Sequence, residues 1–510
     1  MKLNFHKVSL FILCFLLGIN DITSQNKNFS QEFNFQQRLN GVSHSSLRPY
    51  NEKFHAIEYG KVYNDTLVYK SKFVNKLFKE SLLDIREKEI HLQVDPLFNF
   101  TIGNKSQNEQ YRIFYNIRGV RVLADLGPKV SFETRFYENQ FNYPDYIDAI
   151  ADEKGVALGV GRSKVFKTYG HDAGVSSGYV SFSPVQNVNL QFGHGRHFFG
   201  DGYRSILLSD YAPDYPYFSG MYSFLKGMLC YKHVTAWMHT LDRRPNSANP
   251  IAPESLFKQK GGSFNMLSFQ PNDQIQISLF EGVMHKKYDE ELGSVASDLS
   301  FYLPILGVSS LLNDTINGIN RIYGFNFSIK IITNLAFYTQ GMMQNTKKWG
   351  AQMGLKYTEP FHLKNTYILM EFNHIEPFSF TIDSSRILQS YSHNMHELAH
   401  PLGAGIDELI IKSHFEIGRW FSNFQFNWTK RFHEESSLAG ANIFIPDVAS
   451  TSFEYVQDNW MYFYLEKGYM LNVQTRMQLY VGLCLRGSEF NEKYFLFGFR
   501  TNLKNSYFDQ

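Results

Sequence analysis

The 510-residue chain carries 50 lysines and arginines against 48 aspartates and glutamates, a net charge of +2 at neutral pH. This balance does not indicate the basic surface that nucleic-acid binding requires, so we exclude nucleic acid as a partner. Aromatic residues reach 16% although mean hydropathy is only −0.30, a combination typical of membrane β-barrels with aromatic girdles and a polar interior.

The first 24 residues have the pattern of a secretion signal. Lys2 and Lys7 form a short basic region, residues 8–19 form an apolar core, and residues 22–24 match a cleavage site. The apolar core is too short to cross a bilayer as a helix. We therefore expect residues 1–24 to be a signal peptide that is removed on export.

Residues 25–89 are predicted to form an exposed leader followed by a helical segment. Residues 24–40 are rich in Asn, Gln and Ser. Between residues 71 and 86, apolar residues such as Val74 and Leu77 recur at helical spacing, with charged residues away from that stripe. We predict a small periplasmic helix packed against the mouth of a barrel, with a peripheral membrane helix as the alternative.

From residue 90 onward, apolar and polar residues mostly alternate, which is the side-chain period of a β-strand. Roughly 420 residues, at about ten per membrane strand plus turns and loops, predict about 18 antiparallel strands within a range of 16 to 20. We therefore predict an all-β fold in which residues 90–510 form an outer-membrane antiparallel β-barrel. Clear strand candidates are residues 130–137, 188–192, 275–279, 323–331, 351–357, 367–372, 423–430 and 494–503.

Residues 471–485 have the longest unbroken alternation in the chain. Leu471, Val473 and Leu479 belong to an apolar face, whereas Asn472 and Arg476 belong to a largely polar one. We predict one continuous strand with a lipid-facing side and a lumen-facing side, roughly 50 Å long if fully extended. A polar inner face would also suit a passive diffusion porin, which is the alternative function.

Residues 396–400, HELAH, match the zinc-peptidase motif H-E-x-x-H. In zinc peptidases a helix places both imidazoles on one face and the glutamate beside the metal-bound water. Here Pro401 disfavours helical dihedral angles at His400, and Glu408 and Glu416 are the available third ligands. A zinc peptidase using His396, Glu397 and His400 is therefore a remote alternative, and we expect no enzyme, no cofactor and no metal site.

A second cluster of histidines and glycines lies at residues 191–205. It is either a tight connection whose charged residues pair inside the barrel, or a site that contacts a glycan or an ion. Asp201 stands where a phosphate-binding loop requires lysine, so we exclude nucleotide binding. The candidate residues for ligand binding or a lumenal network are His194, His197, Asp201, Tyr203, Arg204, Asp210 and His400.

Residues 192–210, FGHGRHFFGDGYRSILLSD, resemble a signature of the Wzi-like capsule-assembly family. Residues 398–404, LAHPLGA, are similar to its second hallmark, and residues 45–50, SSLRPY, to its N-terminal segment. Within the family, the chain resembles the RemB-type gliding-motility branch of Bacteroidota. The resemblance implies a barrel of about 18 strands with a small periplasmic helical element. It also implies that the HELAH match is incidental, since the family shares Ala-His-Pro-Leu-Gly without Glu397.

We therefore predict a non-enzymatic β-barrel of the cell outer membrane, in contact with outer-membrane lipid. The resemblance implies that it engages surface polysaccharide in capsule assembly or attachment, or supports adhesion or gliding machinery. Removal of the signal peptide would leave Cys230 and Cys484, and the sequence leaves their pairing open.

Overall fold

The computed structural model describes residues 43–49, 71–106, 111–244, 257–303, 305–307, 319–435, 437–446, 455–504 and 506–510. The predicted signal peptide, the leader up to residue 42 and residues 50–70 lie outside this part of the chain. Within the described ranges, none of the helices has the length and apolar character needed to span a bilayer.

Eighteen antiparallel strands close into one barrel, because the last strand pairs with the first through Leu496 opposite Gly103. The predicted all-β fold and strand number are confirmed. Each predicted strand segment coincides with an observed strand, although the last strand ends at Arg500 rather than at residue 503. The barrel strands are β1 Ile90–Asn104, β2 Arg112–Leu126, β3 Val130–Asn142, β4 Gly170–Val185, β5 Val188–Gly195, β6 Tyr215–Phe224, β7 Leu229–Arg243, β8 Phe257–Phe269, β9 Ile275–Lys286, β10 Ile319–Ile332, β11 Leu335–Gln344, β12 Trp349–Thr358, β13 Thr366–Ile375, β14 Ile406–Ile417, β15 Trp420–Glu434, β16 Tyr455–Asn472, β17 Met477–Gly487 and β18 Glu492–Arg500.

Short helices and short strands lie in the connections and before the first barrel strand. Helix α1, Lys72–Phe78, precedes it, and helix α2, Asp145–Lys154, lies in the connection between β3 and β4. Leu83–Glu87 pairs antiparallel with the beginning of β1, and Lys164–Phe166 pairs with β4. Two-residue strand pairs join Leu47–Arg48 to Phe198–Phe199, Tyr288–Asp289 to Gly293–Ser294, and Ser392–His393 to His396–Glu397, and short 3-10 helices occupy Leu225–Gly227, Leu299–Tyr302, Pro360–His362 and Ser384–Gln389.

The alternating sequence sorts side chains between the two faces of the barrel wall. On β17, Val481 is 55% exposed on the outer face, whereas neighbouring Tyr480 is only 5% exposed and points inward. On β18, Phe495 and Phe497 are exposed on the outer face as well. The outside of the wall is thus apolar and aromatic, as lipid contact requires.

The two ends of the barrel differ in the length of their connections. One end has short turns such as residues 186–187, 333–334 and 418–419, which we call the short-turn end. The opposite, long-connection end carries segments such as residues 196–214 and 376–405. In outer-membrane barrels, short turns face the periplasm and long loops face the outside.

The predicted continuous strand over residues 471–485 is wrong. Strand β16 ends at Asn472 and β17 begins at Met477, so the segment contains a hairpin turn. The Asn472 Oδ1 accepts hydrogen bonds from the backbone N–H groups of Gln474 and Thr475, at 2.9 and 3.2 Å. An asparagine that bonds the backbone two residues ahead stabilises a turn, and this local chemistry overrides the alternation.

The predicted helix over residues 71–86 is also too long. Helix α1 ends at Phe78, and Leu83–Glu87 instead pairs with the beginning of β1. The Asn472 side-chain amide donates to the backbone carbonyls of Leu77 and Glu80, each at 3.0 Å. The helix therefore stops where a turn of the barrel binds its terminal carbonyls, because those groups have no partner within the helix.

Four segments lie in the lumen, and we call them together the lumenal plug: residues 43–49, residues 197–214, residues 378–405 and the tail, of which residues 501–504 and 506–510 are described. Leu207 and Leu208 from the second segment and Tyr391 from the third are fully buried. They belong to one apolar cluster with inward-facing wall residues such as Phe264 and Ile322. The hydrophobic core of this protein thus lies inside the barrel, between the plug and the wall.

The two cysteines of the described chain are not joined by a disulfide. Cys230 lies on β7 and Cys484 on β17, and both are buried free thiols. The barrel therefore keeps its shape through strand pairing and plug contacts.

Candidate functional site

Arg204 lies at the centre of a buried ionic network in the lumen, with a fully buried side chain. Its Nη2 is 3.0 Å from Glu408 Oε1 on β14 and 3.0 Å from Asp509 Oδ2 in the last plug segment. The Nη1 also donates to Asp509 Oδ1 at 3.1 Å. The planar guanidinium thus joins three parts of the chain: one plug segment, the wall and a second plug segment.

A second carboxylate holds the backbone of the same plug segment. The N–H groups of Tyr203 and Arg204 donate to Glu371 on β13, at 2.7 and 3.0 Å. The hydroxyl group of Tyr338 donates to the same carboxylate at 2.6 Å. Because Glu371 is fully buried, these donors replace the water that the carboxylate loses on folding.

His400 attaches the third plug segment to the network. Its Nε2 donates to Glu408 Oε2 at 2.9 Å, while its Nδ1 accepts from the backbone N–H of Leu402 at 3.2 Å. Glu408 therefore holds Arg204 and His400 together, so two long connections converge on one wall residue.

Asp201 ties the first plug segment to the second. One carboxylate oxygen accepts from the Ser45 hydroxyl group at 2.8 Å, and the other accepts from the Asn326 amide of β10 at 2.8 Å. Asp201 thus acts as a bridge in the polar interior.

The remaining candidate residues occupy different surroundings. The Tyr203 hydroxyl group donates to Asp509 at 2.9 Å, and Asp210 accepts a hydrogen bond from Tyr507. His197 is buried beside the ring of Tyr217, at 4.4 Å between centroids, and burial lowers its pKa well below the usual value.

His194 is not brought into this network. It lies on β5, two residues after Phe192, whose side chain is exposed on the outer face. Its Nδ1 is 2.9 Å from the backbone oxygen of Ser176 on the neighbouring strand. The structure therefore gathers six of the seven candidates inside the barrel and leaves His194 on the wall.

The HELAH segment does not form a helix. His396 and Glu397 lie in a two-residue strand pair. The His396 Nε2 accepts from the N–H of Gly159 at 3.0 Å, and its Nδ1 donates to the Asn394 carbonyl at 2.7 Å. Burial lowers the pKa of His396 to about 3, so the ring is neutral at pH 7. Within the described part of the chain, no cluster of three or more His, Cys, Asp or Glu is placed to hold a metal ion.

Glu397 has a partner that the sequence did not indicate. Its two carboxylate oxygens are 2.8 and 2.7 Å from the Lys154 Nζ at the end of α2. This buried ion pair fastens the connection between β3 and β4 onto the plug.

We expect the substitution Glu397→Gln to lower the free energy of unfolding by about 1.5–3 kcal/mol, because it leaves the Lys154 ammonium group buried without its counter-charge. Urea titration of the barrel in detergent measures this value, and elemental analysis of both proteins measures zinc. A zinc content that falls with the substitution, or with His400→Ala, would support the peptidase alternative instead.

Sequence reasoning missed Glu371 and Asp509, and it considered Glu408 only as a zinc ligand. Glu371 and Glu408 stand at inward positions of their strands, and Asp509 lies beyond the last strand. A carboxylate at an inward position of an alternating strand was a usable signal for the first two. The position of Asp509 follows only from the path of the tail back into the lumen.

No protein-family model matches the chain, and no curated protein does. Among solved structures, the chain is similar to Wzi of Escherichia coli, described as an outer-membrane protein involved in group 1 capsule assembly and a carbohydrate-binding β-barrel. The identity is 13% and the TM-score 0.54, over 96% of this chain and 100% of that one. The chain also matches OprD of Pseudomonas aeruginosa at 10% identity and a TM-score of 0.42, over 81% and 96% of the two chains. OpdL of the same organism matches at 7% identity and a TM-score of 0.44, over 81% of this chain and 98% of that one. The likeness to Wzi shows a shared fold.

Proposed function

We propose that this protein is an outer-membrane barrel that engages cell-surface polysaccharide and does not serve as an open diffusion channel. The observation that carries the proposal is the lumenal plug. Arg204 fixes one of its segments to Glu408 of the wall by a buried ion pair, and His400 fixes another to the same carboxylate by a hydrogen bond. A network of this kind holds the plug in place, whereas a porin requires a continuous aqueous path.

The shared fold supports the glycan role. Wzi has the same architecture over the whole of its length and is described as carbohydrate binding. Most of the motif at residues 192–210, which prompted the family resemblance, belongs to the second plug segment, and its first residues belong to β5. Capsule assembly or attachment is therefore the favoured role, and support of adhesion or gliding machinery is the role that the RemB-type resemblance adds.

The plug predicts that the purified barrel conducts little in planar lipid bilayers. We expect no steady open-pore current at moderate voltage, because the plug segments lie inside the barrel and block the path of ions through it. A large steady current from the unmodified protein would contradict this expectation and favour the porin alternative.

Binding to polysaccharide is tested with the folded barrel immobilised in detergent and polysaccharide extracted from the surface of the native cells. We expect retention of the polysaccharide by the folded barrel and none by the urea-unfolded chain. A deletion strain scored for both capsule retention and surface gliding separates the two roles. Loss of neither phenotype, together with no retention, would overturn the proposal.

A further inference from the structure

One part of the outer wall face is polar instead of apolar. His233 on β7, Asn265 on β8 and Glu281 on β9 are paired across the sheet, and we call them the outer polar row. Phe264 and Phe280, the residues just before the last two, belong to the apolar cluster inside the barrel, so the row faces outward. The Nδ1 of His233 is 2.7 Å from Asn265 Oδ1 on the same face. All three residues are at most 2% exposed, so they are covered on the outside of the barrel.

The outer polar row lies within the lipid-facing band of the wall. Beyond Glu281, the paired residues continue through Tyr323 and Met343 to Trp349, at the long-connection end of β12. These three are between 41% and 57% exposed on the outer face, and Leu279, two residues before Glu281, is exposed as well. Charged side chains on the lipid-facing side destabilise a barrel. The outer polar row therefore requires a cover that separates it from lipid.

Part of that cover comes from the connection between β9 and β10. The backbone N–H of Gly307 donates to Glu281 Oε2 at 2.8 Å. Nearer the long-connection end, the ring of Phe301 stacks on His285, with 4.3 Å between centroids and 9° between planes. Phe301 also belongs to one buried apolar cluster with Val283 of β9. We call the described residues of this segment the outer strap: residues 299–303 and 305–307.

A cation between two aromatic rings marks the upper end of the outer strap. The Lys287 Nζ, just beyond the end of β9, is 5.7 Å from the centroid of the Trp237 ring and 5.8 Å from that of Tyr302. Basic and aromatic side chains of this kind anchor proteins at the interface between lipid and water. Glu281 lies four residues below His285, roughly 13 Å along the strand. The outer strap thus runs from the membrane surface into the outer leaflet.

The outer strap directs apolar side chains away from the wall. Leu299, Leu303 and Ile305 are 80%, 42% and 55% exposed. Residues 299–313 contain no charged side chain. The exposed surface of the strap thus has the composition of the lipid-facing wall beside it.

The irregular backbone of the outer strap has hydrogen-bond partners within the protein. Such backbone is tolerated at membrane depth only where its polar groups are satisfied internally. The Phe301 N–H donates to the Asp298 carbonyl at 3.2 Å, and the Ile305 N–H donates to the Leu303 carbonyl at 2.8 Å. With the Gly307 N–H on Glu281, these bonds allow the strap to lie in lipid.

We propose that the outer strap is a lipid-binding surface in the outer leaflet, which covers Glu281 and presents Leu303 and Ile305 to acyl chains. Continuity identifies lipid as the partner, because Gly307 reaches Glu281, two residues from the exposed Leu279 on the same face. Contact with water or with a second copy of the chain is the outcome that the tests distinguish from it. Polysaccharide engagement plays no part in this inference, so either can fail without the other.

The first test identifies the partner by photo-cross-linking. Ile305 is replaced by p-benzoylphenylalanine in the purified barrel, which is placed in liposomes of one phosphatidylcholine, irradiated and examined by mass spectrometry. We expect an adduct with the mass of that lipid, as for the same replacement of Leu279. Leu292 is the matched control, a 78% exposed residue in the hairpin beyond the end of β9, and its replacement should give about tenfold less lipid adduct. A cross-link to a second copy of the chain, or a lipid yield no higher than at Leu292, would overturn the inference.

The second test measures whether water reaches the outer strap. Ile305→Cys, Leu279→Cys and Leu292→Cys react with a sulfonated maleimide, which does not enter lipid, in nanodiscs that leave both membrane surfaces accessible. The native thiols, Cys230 and Cys484, are buried, and the unmodified protein gives their background. We expect Ile305→Cys to react about tenfold more slowly than Leu292→Cys, at a rate similar to that of Leu279→Cys. Equal rates for Ile305→Cys and Leu292→Cys would place the strap in water and overturn the inference.

A substitution that prevents folding is recognised from the gel migration of unheated samples. In that case Leu303 takes the place of Ile305 in both tests, because it is also exposed on the outer strap. The expected and contradicting outcomes are the same as for Ile305.

Discussion

Replacing Arg204 with methionine is expected to lower the free energy of unfolding by about 3–5 kcal/mol, the range found when one partner of a buried ion pair is removed. The substitution leaves Glu408 and Asp509 buried without their shared cation. Methionine approximates the length of the lost side chain, so the loss of charge dominates the effect. Urea titration of the folded barrel in detergent gives the free energy.

The matched control is Arg86→Met. Arg86 is an exposed arginine paired with Asp84, and an exposed pair contributes roughly 0–1 kcal/mol. Adding Glu408→Gln to Arg204→Met should recover part of the loss, since the second change removes one of the two uncompensated charges. Equal effects of Arg204→Met and Arg86→Met would show that the network does not stabilise the fold.

Removing the third plug segment should open the barrel. Ile375 and Ile406, the last residue of β13 and the first of β14, are paired across the sheet, so a short Gly-Ser hairpin can replace residues 378–404. The ten-residue pairing of these strands remains, and the wall stays closed. Because the third segment is the longest of the four and an 18-stranded wall around an unfilled lumen encloses an aqueous channel, we expect a steady conductance in planar bilayers that exceeds that of the unmodified protein.

The control deletion removes residues 290–292, which are exposed in the connection between β9 and β10. It should leave the conductance as low as in the unmodified protein. If the shortened barrel folds, as shown by its gel migration, and still does not conduct, the remaining plug segments close the lumen without the third.

The barrel was predictable because burial imposes a pattern that repeats along every strand. Each wall residue faces either lipid or the interior, so the outward side chain of Val481 and the inward side chain of Tyr480 follow from alternation alone. The hairpin at Asn472 was not predictable in this way, because a turn of four residues can carry the same alternation by chance. Its signal was local hydrogen bonding by one side chain, which the apolar pattern concealed.

The plug was only partly predictable. Arg204 and His400 stood out because charged groups among glycines and apolar residues suggest a buried network. Their partners come from positions far away in the chain: Glu408 lies 204 residues after Arg204, and Asp509 lies 305 residues after it. Such pairs depend on the path of the connections through the lumen, and a single sequence carries no record of that path.

The contact between Asn472 and α1 links the first helix to the last strands of the barrel wall. Helix α1 has seven residues, and helices this short are marginal in water without tertiary support. That support includes a side chain 395 residues further along, in the turn between β16 and β17. The stability of α1 is therefore coupled to the turn between β16 and β17, although the two are far apart in the chain. Protection of α1 from proteolysis would accordingly report that the turn between β16 and β17 is in place.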